Sequence, residues 1–463
     1  MLDESHAQEI FEKLKKHSTA DDLEVLIVGG RHALTRFANN AITQNVAEEN
    51  YDISVRSVFG GRTARATTNK FDDESLRRVV QSSEQLARVQ EQDADLAPMV
   101  TAAEANGTAG EVAMPNRFFE QSDKLGANER AAHVADMVAV ADRRKLTAAG
   151  VVAVAEQAEG IFNSRGVARW HTQTHAEVSV TMLAGDSSGW QKANSPDVAQ
   201  IDPAGLAEVA AEKAEGSANP IELAPGKYTV ILEPSAVQDL VGFMFWDFGG
   251  MALLDQRSFL NNRIGTQLFG ENITVIDDVY HPLQSGAPFD GEGVRRERVE
   301  LIHNGIVKNL VYARATASRI PHSEFASQLS NVHATGHGFP LPNEIGEMPM
   351  NIVFQNSGQA KSVAQMISEA ERAVLVTRLW YIREVDPYEK ILTGMTRDGT
   401  FLVENGKVGR GILNFRFNES VIHMLQNVIA MGTPVRAAGE ESFEMVVPPM
   451  MVRDFNFTEV TKF

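Results

Sequence analysis

A long-range repeat constrains the fold of this chain more than any other feature of its sequence. The segment YDISVRSVFGGRTARATTN, from Tyr51 to Asn69, resembles AEVSVTMLAGDSSGWQKAN, from Ala176 to Asn194, about 125 residues later. The preceding segments, RFANNAITQN and IFNSRGVARW, form a second matching pair. Solenoids have shorter periods and more copies, so the pattern indicates a single diverged duplication. We expect the two units to pack side by side or to pair edge to edge.

Each copy is predicted to combine strands with flanking helices. In the first copy, the spacing of apolar residues predicts a helix around residues 7–14 and a closing helix over residues 71–89. The predicted strands cover residues 23–28, 33–47 and 51–58. Gly29 and Gly30 are assigned to a turn between the first two of these strands.

The predicted fold class is α+β, with duplicated N-terminal α/β units followed by a mainly β C-terminal domain. A stretch rich in Ala, Gly and small polar residues separates the two copies and is interpreted as a linker. The predicted divisions are an N-terminal domain over 1–95, a linker over 96–115, a middle domain over 116–220 and a C-terminal domain over 221–463.

The C-terminal region has a different pattern. Asn-Gly pairs at 304–305 and 405–406 lie between apolar runs, which predicts two hairpins. The apolar segment VQDLVGFMFWDFGG, residues 237–250, is predicted to be a buried helix with Ser235 as its N-cap. Two prolines interrupt the final segment, FEMVVPPMMVRDFNFTEV, so it is expected at a sheet edge or as a docking segment.

Composition and charge exclude several kinds of protein. The chain contains no cysteine, which removes disulfides and thiolate metal ligands. The formal net charge of −18 repels nucleic-acid phosphates, so direct DNA binding is not expected. No apolar run reaches the about 18 to 20 residues of a membrane span, and the N-terminal segment lacks a signal-peptide core, so we expect no membrane contact and a cytoplasmic location.

Few side chains give a catalytic signal. None of the twelve histidines precedes a glutamate, and His171 and His175 would be about 13 Å apart along a strand, too far to chelate one ion. P-loop, dinucleotide and serine-elbow motifs do not occur. Asp290 and Glu292 lie in the turn-like sequence PFDGEG, whose glycines would let a ligand approach the backbone. They are the better candidates, although most carboxylate pairs serve as caps and turns.

Residues 378–406, RLWYIREVDPYEKILTGMTRDGTFLVENG, mix aromatic side chains with both signs of charge. One interpretation is a strand, a loop and a hairpin with paired charges. The other is a cleft wall that hydrogen-bonds an extended peptide along a strand edge, with arginines binding carboxylates or carbonyls. The candidate substrate-binding residues of the whole chain are Trp246, Asp247, Asp290, Glu292, Arg378, Tyr381, Arg383, Thr393, Arg397 and Asp398.

Residues 378–406, followed by NFRFNES, resemble the C-terminal signature of the TldD/PmbA (TldE) family. PFDGEGVRRERVELIHNGIVKNLVYARATASRI and ATGHG resemble its central hairpin and its threonine-glycine turn, and FANNAITQNVAEENYDISVRSVFGGRTARATTN resembles its N-terminal domain. The resemblance implies two α/β regions before a mainly β domain. It also implies proteolysis, because the TldD-type subunit is a zinc metallopeptidase with a His-Glu-x-x-x-His helix and a later cysteine ligand, whereas the PmbA-type subunit lacks them.

The chain departs from this zinc pattern in the corresponding window, residues 237–250, which contains neither His nor Glu. The four aromatic side chains of the window, Phe243, Phe245, Trp246 and Phe248, are expected to fill the vacated space. No catalytic residue, metal or cofactor is therefore assigned.

The resulting prediction is a metal-free, PmbA-like subunit that binds extended or unfolded polypeptide, as a homodimer or with a zinc-bearing TldD-like partner. Two alternatives stay open. One is an independent non-metal peptidase. The other is a regulatory binding protein acting on DNA gyrase or a toxin-antitoxin system.

Overall fold

The computed structural model describes residues 2–107, 112–356 and 358–461. Its N-terminal part contains two copies of a helix, three antiparallel strands and a second helix, as the repeat predicts. The first copy consists of α1 (Glu4–His17), β1 (Asp22–Ala38), β2 (Ala41–Phe59), β3 (Arg62–Thr68) and α2 (Asp73–Val89). Two short helices follow, α3 (Ala102–Ala105) and α4 (Glu120–Asp123). The second copy consists of α5 (Ala127–Arg144), β4 (Thr147–Asn163), β5 (Ala168–Ala184), β6 (Ser187–Ser195) and α6 (Pro203–Gly216).

The two copies pair edge to edge, which is one of the two expected arrangements. Their strands form one sheet in the order β3-β2-β1-β4-β5-β6, and β1 and β4 are antiparallel at its centre. The apolar faces of α1 and α2 pack on one half of this sheet, and those of α5 and α6 pack on the other half. The helices therefore cover one face of the sheet and leave the other face available to the C-terminal domain.

The predicted turn at Gly29 and Gly30 is wrong, because both glycines lie inside the long strand β1. A Cβ at Gly29 would lie 2.2 Å from the carbonyl oxygen of Asn50, and one at Gly30 would lie 1.9 Å from that of Glu156. The glycines thus permit close approach of neighbouring strands. The chain reverses instead at Asn39 and Asn40, both with positive φ, so residues 33–47 are a hairpin and not one strand.

The C-terminal domain is mainly β, as predicted, with short helices between its strands. Its first elements are β7 (Gly226–Leu232), α7 (Pro234–Phe245), α8 (Gly250–Leu254), β8 (Thr274–Asp277), β9 (Val299–His303), β10 (Ile306–Val307), α9 (Arg314–Arg319) and β11 (Ile352–Gln355). They are followed by α10 (Val363–Glu369), β12 (Arg372–Asp386), β13 (Ile391–Glu404), β14 (Lys407–Gly411), β15 (Phe415–Ser420), α11 (Val421–Gln426), β16 (Val428–Met431), β17 (Val435–Arg436), β18 (Val446–Val447) and β19 (Met450–Val460). Both Asn-Gly hairpins are confirmed, between β9 and β10 and between β13 and β14.

Two sheets build this domain. One has the order β10-β9-β8-β11-β18-β17. In the other, β12, β7, β19, β15 and β13 are neighbours in that order, and pairing of β12 with β13 closes the five strands into a ring. The prediction of an edge position for the final segment is wrong for β19, which lies between β7 and β15. Pro448 and Pro449 precede β19, so they remove no hydrogen bond from its ladder.

Helix α7 lies in the apolar core of this domain, in contact with β12, β7 and β18. The helix begins at Pro234 with Glu233 as N-cap, so the predicted N-cap at Ser235 is wrong by two residues. Proline suits the first helical position because its missing N–H has no partner there in any case. Among the described residues, no helix is both long and apolar enough to cross a membrane.

Candidate functional site

Asp239 is a fully buried carboxyl group in the middle of α7. Its Oδ1 accepts hydrogen bonds from the backbone N–H groups of Glu440 and Glu441, at 3.0 and 2.9 Å. Burial raises the pKa of Asp239 to about 7, and the carboxylates of Glu441 and Glu440 add to the effect, although the two N–H groups oppose it. Asp239 therefore holds residues 439–444, which we call the covering loop, and changes its charge near neutral pH.

Gln238 and Gly242 complete the contact between α7 and the covering loop. Gln238 accepts the N–H of Gly439 at 3.0 Å and donates to the carbonyl oxygen of Phe443 at 2.8 Å. A Cβ placed on Gly242 would lie only 1.7 Å from Oγ of Ser442. The covering loop thus lies directly on the helix, and the glycine leaves room for the Ser442 side chain against the helix backbone.

The covering loop also contacts β12. Oε1 of Glu441 accepts the backbone N–H of Tyr381 at 2.7 Å, and its Oε2 lies 3.9 Å from Arg383. The register of β12 against β13 shifts between Trp380 and Arg383, and Tyr381 has a φ of 57°. This bulge turns Tyr381 to the surface, where 55% of it is exposed and the guanidinium of Arg383 lies 4.5 Å from its ring centroid.

The end of α7 places Trp246 and Asp247 in different environments. Trp246 is 54% exposed, whereas Asp247 is buried and pairs with Nζ of Lys390 at 2.5 Å. Lys390 also contacts Glu384 at 2.8 Å. Burial raises the pKa of Asp247, and Lys390 opposes this shift. The Asp247 carboxylate is therefore part of a buried ion pair that joins α7 to the β12–β13 hairpin.

The aromatic residues of the segment 237–250 fill the interior only in part. Phe245 and Phe248 are fully buried, with ring centroids 5.5 Å apart. Phe243 is only partly buried, and the exposure of Trp246 contradicts the expectation that its ring fills internal space. Trp246 is the C-cap residue of α7, which ends at Phe245, and its side chain lies at the surface.

Arg378 and Asp398 form a buried ion pair where the C-terminal domain meets the middle domain. Nε of Arg378 lies 2.7 Å from Oδ2 of Asp398, and Oδ1 of Asp398 accepts from the hydroxyl of Ser188 at 2.6 Å. The guanidinium lies 4.6 Å from the ring of Trp190. Arg378 on β12 and Asp398 on β13 thus connect these two strands to β6.

Arg397 and Thr393 lie on β13. The exposed Arg397 side chain lies 4.8 Å from the ring of Trp380. The Thr393 hydroxyl donates to the carbonyl oxygen of Phe417 at 3.1 Å, and its backbone pairs with Arg383 across the strands. Trp246, Asp247, Tyr381, Arg383 and Thr393 are thus connected through α7 and the β12–β13 hairpin.

Asp290 and Glu292 occupy a separate, buried turn. Asp290 accepts the backbone N–H groups of Glu292 and Val294 through Oδ1, each at 2.9 Å, and that of Gly338 through Oδ2 at 2.8 Å. Burial and the neighbouring Glu292 carboxylate raise the pKa of Asp290. Glu292 pairs with Arg314 at 3.3 Å. Three N–H donors on one carboxyl show that Asp290 organises the turn.

A cavity of about 500 Å³ lies between the middle and C-terminal domains. A second cavity, of about 390 Å³, extends along the sheet face that carries no helices, and it adjoins the first because Glu159 and Gln173 line both. Residues from both domains line the first cavity, including Glu159, Gln173, Asp290, His337, Phe443 and Glu444. The covering loop therefore contributes its last two residues to the wall of this cavity.

Asp277, His337 and Thr335 form a hydrogen-bonded series beside the first cavity. Oδ1 of Asp277 lies 2.9 Å from Nε2 of His337, whose Nδ1 lies 3.0 Å from Oγ1 of Thr335. A nucleophile, a base and an orienting carboxylate would have this order. Thr335 is 4% exposed, however, and its oxygen accepts the N–H of Tyr312 at 2.8 Å. The series is therefore buried and its hydroxyl is already engaged.

Three sequence comparisons match the three parts of this architecture. Residues 23–87 match the PmbA/TldA metallopeptidase domain 1, residues 120–218 match the central domain, and residues 225–459 match the C-terminal domain. The chain belongs to the PmbA/TldD metallopeptidase family. The three PmbA/TldD domains correspond to the first copy, the second copy and the β-rich domain described above.

Individual PmbA/TldD relatives are distant in sequence and close in fold. The metalloprotease PmbA of Escherichia coli O157:H7 is 22% identical over 298 residues, which cover 62% of this chain and 60% of that protein's length. TldE from Thermococcus kodakarensis superimposes with a TM-score of 0.82 at 18% identity, covering 98% of this chain and 100% of TldE. A Thermotoga maritima structure described as a modulator of a DNA gyrase gives 0.82 at 17% identity, with the same coverage. At these identities the two structures establish a shared fold.

The residues at α7 of this PmbA/TldD chain do not fit a zinc ion. A catalytic zinc site needs three protein ligands and one open position. The buried polar side chains of α7 are one amide and one carboxyl, and both bind the covering loop. Within residues 2–107, 112–356 and 358–461, no three His, Cys, Asp or Glu side chains are grouped as metal ligands.

Sequence patterns missed the partners that give this PmbA/TldD site its shape. The covering loop has no motif, and it lies about 200 positions from Gln238 and Asp239, so no local pattern connects them. The pairing of Asp277 with His337 across 60 positions was equally invisible. A signal did exist for Asp239, because an isolated acid in an otherwise apolar helix must find buried hydrogen-bond donors.

Proposed function

We propose that this PmbA/TldD-family chain is a metal-free subunit that binds extended or unfolded polypeptide and supports proteolysis by a zinc-bearing homologue. The covering loop is the observation that carries the proposal. It occupies the face of α7 through bonds to Gln238 and Asp239 and through the contact of Ser442 with Gly242. A metallopeptidase needs space at its metal for water and for a substrate carbonyl. In this chain residues 439–444 cover α7 instead, which supports a role without metal.

The exposed side chains at the end of α7 and at the β12 bulge, which we treat together as one cluster, are our candidates for contact with polypeptide. Trp246, Tyr381 and Arg383 are exposed, and Glu441 and the Asp247 ion pair fix the backbone below them. Aromatic and arginine side chains on a rigid support are typical of binding surfaces. Arg378 and Asp398 are proposed to orient β12 and β13 within this surface, since they are bound to each other.

Metal analysis and a cleavage assay test the proposal. We expect the purified chain to carry no stoichiometric zinc and to leave fluorescein-labelled unfolded casein intact. Addition of a zinc-bearing homologue should produce cleavage that a chelator abolishes. Stoichiometric zinc with cleavage by the chain alone would contradict the metal-free role. Equal cleavage by the homologue with and without this chain would contradict the supporting role.

Variants locate the polypeptide contact. Trp246→Ala and Tyr381→Ala should weaken casein binding and reduce the cleavage that the partner supports. Ile429→Ala is the matched control, because Ile429 is 43% exposed on β16, outside this cluster. If both aromatic variants behave like Ile429→Ala, the contact lies elsewhere.

A non-metal peptidase is the second candidate, and only the Asp277–His337–Thr335 series favours it. It predicts chelator-resistant cleavage by the chain alone, which His337→Gln should abolish. We rank it second because Thr335 is buried and its hydroxyl is engaged by Tyr312.

A regulatory role at DNA gyrase is the third candidate, suggested by the name of the Thermotoga maritima relative. With a net charge of −18, such a role would proceed through protein contacts. A pull-down with gyrase subunits at physiological salt tests it, and failure to retain either subunit would count against it.

A further inference from the structure

Half of strand β2 has an open edge. The strand pairs with β1 along its whole length, but β3 pairs only with the residues from Ile53 to Phe59. Along residues 41–48, the described part of the chain places no strand on the other side of β2. These eight residues are exposed apart from the half-buried Val46. An unpaired strand of this length is a template for the addition of another strand.

The register identifies which backbone groups face outward. The carbonyl oxygen of Val58 accepts the N–H of Asp21, on the side of β1. Successive residues of a strand direct their N–H and C=O groups to opposite sides, and the pairing of β1 with β2 is regular from Val58 back to Gln44. Asn45 and Ala47 therefore present their N–H and C=O groups to the open side.

The open edge is anchored at Asn45. The side-chain oxygen of Asn45 accepts from Arg130 at 2.9 Å and from the hydroxyl of Thr35 at 3.3 Å. Asn45 is thereby fixed to α5 and β1. A preorganised edge binds with a smaller loss of conformational entropy than a mobile one.

The second copy of the repeat has a related edge, and there an extended segment of the chain lies along it. Strand β5 occupies the position in that copy that β2 occupies in the first. The N–H of Thr174 on β5 donates to the carbonyl oxygen of Arg117 at 2.9 Å, and the N–H of Phe119 donates to Oγ1 of Thr174 at 3.0 Å. Residues 117–119 thus contact this edge of β5 through one backbone hydrogen bond and one hydrogen bond to a side chain.

We propose that the open edge of β2 at Asn45 and Ala47 binds an extended polypeptide by strand addition. The occupant is a basic segment, because residues 41–52 contain no Lys or Arg but include Glu48 and Asp52. Glu48 also lines the adjoining cavity on the sheet together with Glu159. Backbone pairing makes the site tolerant of sequence. The inference rests on the proposed function only in taking extended polypeptide as the ligand.

Substitution at Ala47 tests the site in the full chain. The probe is a fluorescein-labelled nine-residue peptide of alternating Thr and Val with Lys at both ends, followed by fluorescence anisotropy. Ala47→Pro removes an outward N–H while leaving the ladder with β1 intact, since proline is tolerated on the open side of an edge strand. We expect at least a tenfold rise in Kd for Ala47→Pro. Ala47→Val is the matched control, because it keeps the N–H, and it should bind like the wild type.

A second probe separates backbone pairing from side-chain binding. The same peptide with alternate residues N-methylated should bind at least tenfold more weakly, because methylation removes its strand-forming donors. The edge site would be overturned if both peptides bound the wild type equally well, or if the wild type bound neither. It would also be overturned if Ala47→Pro, with the same Tm as the wild type, bound the peptide equally well. Sedimentation tests a different occupant. If the wild type is a dimer and Ala47→Pro is a monomer, the open edge binds a second copy of this chain and not a peptide.

The outcomes for the edge and for the proposed function are distinguishable. Peptide binding is measured on the chain alone, whereas support of proteolysis is measured with the zinc-bearing homologue. Loss of peptide binding in Ala47→Pro supports the edge site whatever the cleavage assay gives. Normal peptide binding by Ala47→Pro overturns the edge site even where cleavage with the homologue succeeds.

Discussion

Ionisation of Asp239 should loosen the covering loop as the pH approaches neutrality. Burial raises the pKa of this carboxyl from 3.8 to about 7 in the folded chain. A group with a raised folded pKa contributes stability that is complete below its unfolded pKa and is lost as the pH rises to the folded value. A tenfold change in an ionisation constant corresponds to about 1.4 kcal/mol. The contribution of Asp239 to the free energy of unfolding therefore falls by roughly 4 kcal/mol between pH 4 and pH 7.

Asp239→Asn should remove this pH dependence, because the amide oxygen can still accept from Glu440 and Glu441 but carries no charge. A chain of several domains is not expected to unfold in one transition, so a local probe is needed. Glutamyl endopeptidase cleaves after Glu440 and Glu441 once the loop detaches. We expect cleavage of the wild type to increase from pH 5 to pH 8, normalised to a short peptide substrate, while cleavage of Asp239→Asn stays flat.

The control for this experiment is Asp136→Asn, which alters an exposed carboxylate on α5 and should keep the wild-type profile. Parallel profiles for Asp239→Asn and the wild type would refute the reasoning, because another group would then be titrating. Faster cleavage of Asp239→Asn at every pH would refute it differently, by showing that the negative charge itself holds the loop.

Three further substitutions test the packing of the site. Gly242→Ala should lower stability by about 1–3 kcal/mol and expose the loop to the same protease, because its Cβ would overlap Ser442, and Ser442→Gly should restore both. Arg378→Met should lower the urea midpoint of the transition that includes β12 and β13, by the equivalent of roughly 3 kcal/mol, because the buried Asp398 would keep only the Ser188 hydroxyl and the more distant Arg397 at 3.6 Å. Arg378→Met with Asp398→Leu should lower it less. Trp246→Ala should change stability by less than about 0.5 kcal/mol, since a larger loss of Tm would mean that the ring fills interior space.

Much of the fold could be predicted from the repeat, and the errors have local causes. Glycine suits both a turn and a close approach of strands, so the letters at Gly29 and Gly30 could not distinguish these roles. The edge position expected for the final segment was wrong because the two prolines indicate only that their own positions lie outside a central ladder. They say nothing about the strand that follows them. Strand β19 pairs with β7, more than 200 positions earlier, and no sequence pattern reports this pairing.

The candidate site was located from the sequence, but its chemistry was not. The segment 237–250 was identified by its apolar character, and the same character hid the importance of Asp239. Arg378 and Asp398 fit the first interpretation of their segment, that of paired charges, because the two side chains are bound to each other. Burial and partners decide whether an arginine is available to a ligand, and neither is visible in one sequence.

The covering loop explains how the cavity between the domains is connected to α7. Asp239 holds one end of the loop to the helix, while Glu440 contacts Lys192 at 3.2 Å and Glu444 contacts His175 at 2.6 Å, both in the middle domain. Removal of the loop from α7 would therefore require contacts to break in two domains at once. Because Glu444 also lines the cavity, a polypeptide bound in the cavity would contact the covering loop. The same short segment therefore contacts α7 through Asp239 and lines the cavity through Phe443 and Glu444.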